Sequence, residues 1–202
     1  MAEKMLDTNN LGVGKGREGG YACVAPFGTD PTLFEDVTKT LAELCASNEV
    51  LKSLGYISED GVKIATDTDT DDHTDWSGST VASVMGTYAE TIEVTFLESR
   101  ETVQKVFYGD TNVSETGATT TVRHNNKFTT PHLYIFDSIV SDTKVKRTIV
   151  PNGVINERDD VEQNSSDLVG YTPTIKCLAS TAYEGDCMRE FIYDSNKDVE
   201  TA

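Results

Sequence analysis

The segment 81–98 alternates for most of its length between apolar and polar residues, and this pattern constrains the fold more than any other. The apolar positions of its clearest part are Ile92, Val94 and Phe96. Successive side chains of a β-strand point to opposite faces, so the pattern predicts a strand with one face on a core. Residues 62–66 read as a shorter strand, and the two segments together predict a long hairpin.

Between these strands lies an acidic, Thr-rich run at 66–79, which is too charged to enter a core and is predicted to be a loop with a mobile tip. Its candidate site residues are Asp67, Asp69, Asp71, Asp72, Asp75 and Trp76. Crowded like charges cost stability unless water or a basic partner compensates them. We therefore expect the run to become ordered on contact with a neighbouring subunit. Trp76 is either a core residue or an interface anchor, and the charge before it favours the interface.

The candidate basic partner is the one compact cluster of cationic residues in the chain. It consists of Lys144, Lys146 and Arg147. A surface of this sign would compensate the acidic loop of a neighbouring subunit. The alternative is that the three are ordinary exposed strand residues, and the sequence leaves both interpretations open.

Five further segments downstream read as strands. They are 119–123, 132–140, 143–150, 168–180 and 187–193. Many short strands with one or two helices predict a mainly β fold, either a β-sandwich or a partly closed barrel with peripheral helices.

Two helices are predicted. Asp30 as the N-cap and Pro31 at the first helical position indicate a helix over 31–47. Ser99 is predicted to cap a shorter helix that ends at Gly109.

The first 20 residues contain five glycines among charged neighbours, which predicts a flexible N-terminal arm over 1–20. Residues 21–202 have a length typical of one domain, and we expect them to form a single β-sandwich.

The chain carries a formal charge of −17, from 34 acidic and 17 basic residues. This argues against duplex binding by phosphate neutralisation, which needs clustered Lys and Arg. No stretch approaches the roughly 18 apolar residues of a membrane span, and the N-terminus has no apolar signal-peptide core. We therefore expect synthesis in the cytoplasm, no membrane insertion and no specific binding of DNA.

No residue pattern indicates catalysis, a cofactor or a metal. None of the three histidines lies in a zinc-protease motif or beside a nucleophile elbow, and segment 14–19 matches the dinucleotide fingerprint without its flanking strand and helix. A reducing cytoplasm predicts free, inert thiols for the cysteines, which have no metal-ligand spacing. They are Cys23, Cys45, Cys177 and Cys187. We therefore predict a protein that is not an enzyme, with no catalytic, cofactor-binding or metal-binding residues.

Six loosely defined sequence pieces occur in an order that resembles one protein family. They are Gly-Tyr-x-Ser-Glu-Asp-Gly at 55–61, Trp-x-Gly at 76–78, the Thr-rich strand at 91–97, a helix ending in Tyr108-Gly109, Arg-Thr-Ile-Val-Pro-Asn at 147–152 and an alternating strand around Tyr171. Together they span roughly residues 50–194 and are similar to the major tail protein, the tail tube subunit, of long-tailed, siphovirus-type bacteriophages.

The resemblance implies a tail-tube fold, which is a sandwich of two antiparallel sheets with a flanking α-helix and a long loop. It also implies a structural subunit that assembles with itself into hexameric rings, which stack into the conduit for DNA ejection. Residues 66–79 would then form the inter-ring loop, and one face of the strands at 91–97 and 144–150 would line the lumen.

The partners implied are other copies of the chain, the tape-measure protein, the tail terminator and the tail-tip or baseplate proteins. The implied location is the virion tail, with assembly in the host cytoplasm. A tube protein of a contractile injection machine, from the same fold group, is one alternative. A β-sandwich virion-decoration or carbohydrate-binding module is an alternative of a different class, and an acidic hydrolase is the last.

Overall fold

Eleven strands, three α-helices and three 3₁₀ turns make up residues 11–198, the part of the chain that the computed structural model describes. The strands are β1 Lys15–Gly16, β2 Ala22–Pro26, β3 Lys52–Ser53, β4 Ile57–Thr74, β5 Thr80–Phe96, β6 Val113–Thr116, β7 Thr119–Val122, β8 His132–Ser141, β9 Lys144–Arg158, β10 Pro173–Cys177 and β11 Arg189–Asp194. The helices are α1 Leu41–Ser47, α2 Glu101–Tyr108 and α3 Ser195–Asp198. The 3₁₀ turns are Pro31–Phe34, Asp110–Asn112 and Thr181–Tyr183. None of the helices in this part of the chain is long and apolar enough to cross a membrane.

Nine of the strands form one antiparallel sheet, whose main path runs β3-β2-β8-β9-β10-β5-β4. Within the same sheet, β1 pairs with β8 in line with β2, and β11 pairs with β9 in line with β10. The hairpin of β6 and β7 is a second, small sheet. The predicted fold class is confirmed, because the chain is mainly β with two antiparallel sheets and a flanking helix, α2.

The central strand β8 is buried on both faces. Tyr134 and Phe136 enter a core that includes side chains of α2, β5 and β10, whereas Leu133 and Ile135 enter a second core that includes side chains of α1. Because alternate side chains serve opposite cores, residues 133–136 are apolar without interruption. Further along the sheet, only the α2 side of β10 and β5 is covered, and their other face carries polar side chains.

Helix α2 has the predicted position and end. Its buried side chains include Val103, Val106 and Phe107, and Gly109 follows it with φ of 96°. A Cβ atom on Gly109 would lie 2.5 Å from the carbonyl oxygen of Lys127, so only glycine fits this helix end. The predicted cap is wrong, because the N-cap position is Arg100; the Ser99 hydroxyl instead lies 3.0 Å from the hydroxyl of Tyr171.

The predicted helix over 31–47 is wrong in its middle. Asp30 does cap a helical turn, but this 3₁₀ turn ends at Phe34. The Asp36 carboxylate then accepts a hydrogen bond from the Thr38 backbone N–H at 3.1 Å, which favours a turn over a continued helix. A capping box of Thr40 and Glu43 starts α1 as a separate helix.

Part of the predicted N-terminal arm belongs to the folded domain. Residues 1–10 of the arm lie outside the described residues, but β1 pairs with β8 and the Val13 N–H donates to the carbonyl of Val140 at 2.9 Å. The Arg17 guanidinium donates to the carbonyl oxygen of Val37 at 2.9 Å and lies 3.2 Å from the carboxylate of Asp137. These contacts fix residues 13–17 against the sheet.

Candidate assembly surface

The most prominent feature of the surface is a two-stranded ribbon formed by the outer parts of β4 and β5. At its root the ribbon is part of the sheet, since β10 pairs with β5 as far as Glu90. Beyond that point, residues 67–74 and 80–89 pair only with each other in the described structure. Eight strand residues at about 3.3 Å each extend the ribbon by roughly 25 Å. Every residue from 65 to 88 is exposed, so the ribbon is not buried against any other element of residues 11–198.

The predicted loop over 66–79 is therefore wrong for residues 66–74, which are paired strand. Alternate threonines such as Thr68 and Thr70 favour extended backbone, because β-branched side chains suit a pleated strand. The aspartates between the threonines remain in contact with water, since both faces of a two-stranded ribbon can be solvated. The pairing shifts by one residue at Asp69, where Gly86 and Thr87 lie opposite a single residue and form a bulge.

The turn at the end of the ribbon is held by Asp75. Its carboxylate accepts hydrogen bonds from the backbone N–H groups of Ser77 at 2.8 Å and Ser79 at 2.9 Å, and from the Ser77 hydroxyl at 2.7 Å. These bonds, led by the one from the Ser77 hydroxyl, hold the pKa of Asp75 below its usual value. Gly78 completes the turn with φ of 85°.

The acidic residues predicted for this site lie on the ribbon but do not form one cluster. Asp67, Asp69 and Asp71 occupy alternate positions of β4 and share one face, Asp72 lies on the other face, and Asp75 lies in the turn. Among residues 11–198, no group of three or more His, Cys, Asp or Glu is arranged to hold a metal.

Several large apolar side chains on the ribbon are exposed. Of these, the sequence predicted a contact role only for Trp76. Trp76 stands at the tip with an exposed fraction of 104%. Four others on β5 are more than half exposed: Val81, Val84, Met85 and Tyr88. Val84 and Met85 are consecutive in the strand and lie on opposite faces, so both faces of the ribbon carry exposed apolar side chains, which favour contacts with other molecules. The Tyr88 hydroxyl donates to the Glu90 carboxylate at 2.6 Å, and this bond raises the pKa of Tyr88 to about 12.

The predicted basic cluster is divided between two faces of β9. Lys144 lies 3.7 Å from the Asp194 carboxylate and Lys146 lies 2.7 Å from that of Glu190, both across to β11. The prediction that Arg147 is part of a basic surface is wrong, because its side chain is completely buried. The period of two in a strand places it on the opposite face from the two lysines. There it forms ion pairs with Asp137, at 2.6 Å from Nε to Oδ1 and 2.6 Å from Nη2 to Oδ2.

The two ends of the sheet leave backbone groups unpaired. Within residues 11–198, β4 pairs with β5 alone, so its outer edge is open along 18 residues. At the other end, β3 covers only Cys23 and Val24 of β2. Long open edges are templates for pairing with another chain, so both ends of the sheet are candidate contact sites.

The two predicted lumen-lining strands differ in how much accessible surface they offer. On the face of β5 away from α2, Glu93 is exposed, and the neighbouring strand β10 presents exposed Lys176. Residues 147–150 of β9 are buried on both faces, so they offer no surface to a lumen. Residues 144–146 of β9 are half-buried, so the β5 face is the more accessible of the two predicted lumen surfaces.

Comparison with known proteins agrees with this architecture. The chain matches the model of a family described as phage tail tube protein over residues 18–196, which include the ribbon, both cores and α2. A search of curated proteins found no match. Because the family match covers most of the sequence, it confirms the resemblance to a phage tail tube subunit. The chain belongs to the phage tail tube protein family.

Proposed function

We propose that this chain is the tail tube subunit of a long-tailed, siphovirus-type phage, and that six copies form each ring. Stacked rings then make the conduit through which DNA is ejected. The observation that carries the proposal is the ribbon, in which every residue from 65 to 88 is exposed and five large apolar side chains are more than half exposed. A surface of this composition suits a protein that completes its burial against its own copies.

Ring closure uses the two open ends of the sheet. The outer edge of β4 in one subunit would pair with the β2–β3 edge of the next, which turns six separate sheets into one closed barrel. A closed barrel has no open edge, so closure removes the liability that a long unpaired strand brings. The same contact type repeats between every pair of neighbours, as a heterologous interface that closes into a ring requires.

Ring stacking uses the ribbon, which reaches roughly 25 Å beyond the sheet. Trp76 at its tip would enter a neighbouring ring as an aromatic anchor, and exposed side chains of β5 such as Met85 would add apolar contact. Buried aromatic anchors dominate interface energetics. Lys144 and Lys146 of a neighbour can attract the aspartates on one face of β4, which are Asp67, Asp69 and Asp71. Each lysine already faces a carboxylate of β11, however. The apolar side chains therefore provide most of the stacking energy.

A conduit for DNA must not bind DNA. Six copies would carry a formal charge of −102, which is 6 × (−17). Such a wall repels phosphates and lets the duplex slide. The subunit would be part of the virion tail after assembly in the host cytoplasm. It would contact the tape-measure protein, the tail terminator and the tail-tip or baseplate proteins.

Electron microscopy of the purified protein at high concentration tests the proposal, with light scattering on the same sample. We expect hollow tubes or rings with six-fold symmetry. Tubes or rings with a different symmetry would contradict the six-copy ring but would still support the proposal of a tube subunit. A protein that stays monomeric at every concentration, and that binds a glycan or a capsid, would overturn the tube and favour a decoration or carbohydrate-binding module.

Tube formation is expected to strengthen with salt. Acidic ribbons of neighbouring subunits repel one another, and the Debye length falls from about 10 Å at 0.1 M to about 3 Å at 1 M ionic strength. The fraction of protein sedimenting as tubes should therefore rise with sodium chloride concentration. The triple variant Asp67→Asn, Asp69→Asn, Asp71→Asn is the matched control, and its assembly should depend less on salt. Weaker assembly at high salt would contradict repulsion as the opposing force.

A further inference from the structure

Two cysteines that the sequence separates by 22 positions lie side by side in the fold. The Sγ atoms of Cys23, on β2, and Cys45, on α1, are 3.4 Å apart. Both thiols are free. A disulfide has an S–S distance of about 2.05 Å, so bond formation needs an approach of about 1.4 Å. Cys45 lies near the end of a seven-residue helix, which can move by this distance more easily than a central strand.

The two thiols differ in a way that suits sequential oxidation. Cys23 is 1% exposed within the core beside α1, whereas Cys45 is only partly buried and can meet a small oxidant. The hydrogen bond with Cys23 lowers the pKa of Cys45, and the charge of Lys52 contributes to the same shift. The same hydrogen bond and burial raise the pKa of Cys23. The accessible thiol is therefore the one that more readily forms the nucleophilic thiolate.

We propose that Cys23 and Cys45 are an oxidation site that forms an intramolecular disulfide when the protein meets hydrogen peroxide, and that the bond locks α1 to β2. In the first step, the Cys45 thiolate attacks one peroxide oxygen; the O–O bond breaks, and Cys45 sulfenic acid and hydroxide form. In the second step, the Cys23 sulfur attacks the Cys45 sulfur and releases the sulfenic oxygen as water. Two thiols lose two electrons and two protons in total, and one peroxide becomes two water molecules.

The bond would constrain the segment that connects the two cysteines. This segment contains the 3₁₀ turn Pro31–Phe34 and the carbonyl groups that bind Arg17 and Arg147. A cross-link over this loop restricts the unfolded chain and raises stability by a mechanism that does not involve tube assembly. The proposal is independent of the proposed function, because it concerns one subunit.

The chain offers an internal comparison in its other two cysteines. Burial raises the pKa of Cys177 to about 12 and, with a hydrogen bond to Glu90, raises that of Cys187 to about 11. The Cys187 thiol donates to the Glu90 carboxylate at 2.8 Å. Both therefore stay protonated at neutral pH, and we expect peroxide to oxidise them more slowly than Cys45.

The experiment treats the full-length reduced protein with a few equivalents of hydrogen peroxide and follows it by mass spectrometry after denaturing alkylation. We expect alkylatable thiols to fall from four to two, and a non-reducing digest to yield a peptide joined through Cys23 and Cys45. Dithiothreitol should reverse the change. The unfolding temperature of the oxidised protein should rise by about 5–10 °C.

Two single variants make the result specific. Cys45→Ser, at the more accessible position, should keep all its remaining thiols under the same treatment. Cys177→Ser should cross-link as the natural sequence does. Over-oxidation of Cys45 without a cross-link, or a bond between Cys177 and Cys187 at the same rate, would overturn the proposal.

Discussion

A subunit that lacks the outer part of the ribbon is expected to fold normally and to form no tubes. Thr70 and Met85 are direct cross-strand partners, so residues 71–84 can be replaced by an Asn-Gly pair that closes the shortened hairpin. The replacement removes Trp76, Val81 and Val84, whose side chains are all more than half exposed. If these side chains anchor one ring to the next, their removal abolishes stacking.

The expected size of the effect follows from the energetics of interface anchors. Truncation of a buried aromatic anchor costs about 2 kcal/mol or more, and each 1.4 kcal/mol is about tenfold in an equilibrium constant. Sedimentable tubes should therefore fall at least about tenfold under conditions where the natural sequence assembles. Stability should change by less than about 1 kcal/mol, because the removed residues are exposed. Sedimentation with electron microscopy measures the first effect, and thermal unfolding by circular dichroism measures the second.

Two further variants separate the possible causes. Trp76→Ala keeps the length of the ribbon, so an assembly defect in this variant assigns the loss to the anchor. Glu115→Gln changes an exposed residue of the β6–β7 hairpin, a second exposed hairpin, and should assemble normally. Normal tubes from the shortened subunit would show that the ribbon is not the stacking element.

The parts of the fold that could be predicted are those in which a local pattern reflects a nearby core. The alternation in β5 and the apolar face of α2 identify buried surfaces directly, because each pattern has the period of its element. Gly109 was also predictable as a helix end. The break between Phe34 and Leu41 was harder to see, although the capping box of Thr40 and Glu43 is present in the sequence and marks a new helix start.

The β4 half of the ribbon was predicted as a loop, whereas its β5 half was predicted as strand, because the rule that strands have an apolar face applies to sheets that cover a core. Residues 67–74 cover none, and they form strand because 80–89 pair with them through the backbone. The alternating threonines were the available signal. Sequence reasoning assigned the acidic residues of this segment to a contact surface, and the exposed apolar side chains of β5 complete that candidate site.

Arg147 was misjudged because its neighbours in sequence are not its neighbours in space. Lys144, Lys146 and Arg147 look like one cationic cluster in a linear reading. Because the side chains of a strand alternate between its two faces, the spacing alone places Arg147 on the opposite face from Lys144 and Lys146. What the sequence could not supply is the partner, since Asp137 comes from another strand and the carbonyl groups around the guanidinium come from 34–39.

The buried ion pair links the sheet to the segment that crosses it. Asp137 and Arg147 are cross-strand partners, and both side chains are fully buried. Arg147 also donates to the carbonyl oxygens of Phe34 at 2.8 Å and Lys39 at 2.8 Å. Arg17 approaches the same carboxylate at 3.2 Å. One carboxylate therefore compensates two guanidinium groups that together hold the turn at 34–39.

Asp137→Asn is expected to destabilise the subunit by about 3–5 kcal/mol, because it leaves the buried Arg147 charge uncompensated while keeping the size of the side chain. Urea unfolding followed by circular dichroism measures the loss. Arg17→Met is the milder comparison and should cost about 2 kcal/mol, because Arg147 still compensates the Asp137 carboxylate when the Arg17 hydrogen bonds are lost. The double variant Asp137→Leu, Arg147→Met removes both buried charges and should recover part of the stability, because Arg17 loses its carboxylate and the carbonyl groups of 34–39 lose their donor. If Asp137→Asn cost less than about 1 kcal/mol, hydrogen bonds to the carbonyl groups of 34–39, and not the carboxylate charge, would be what keeps Arg147 in the core.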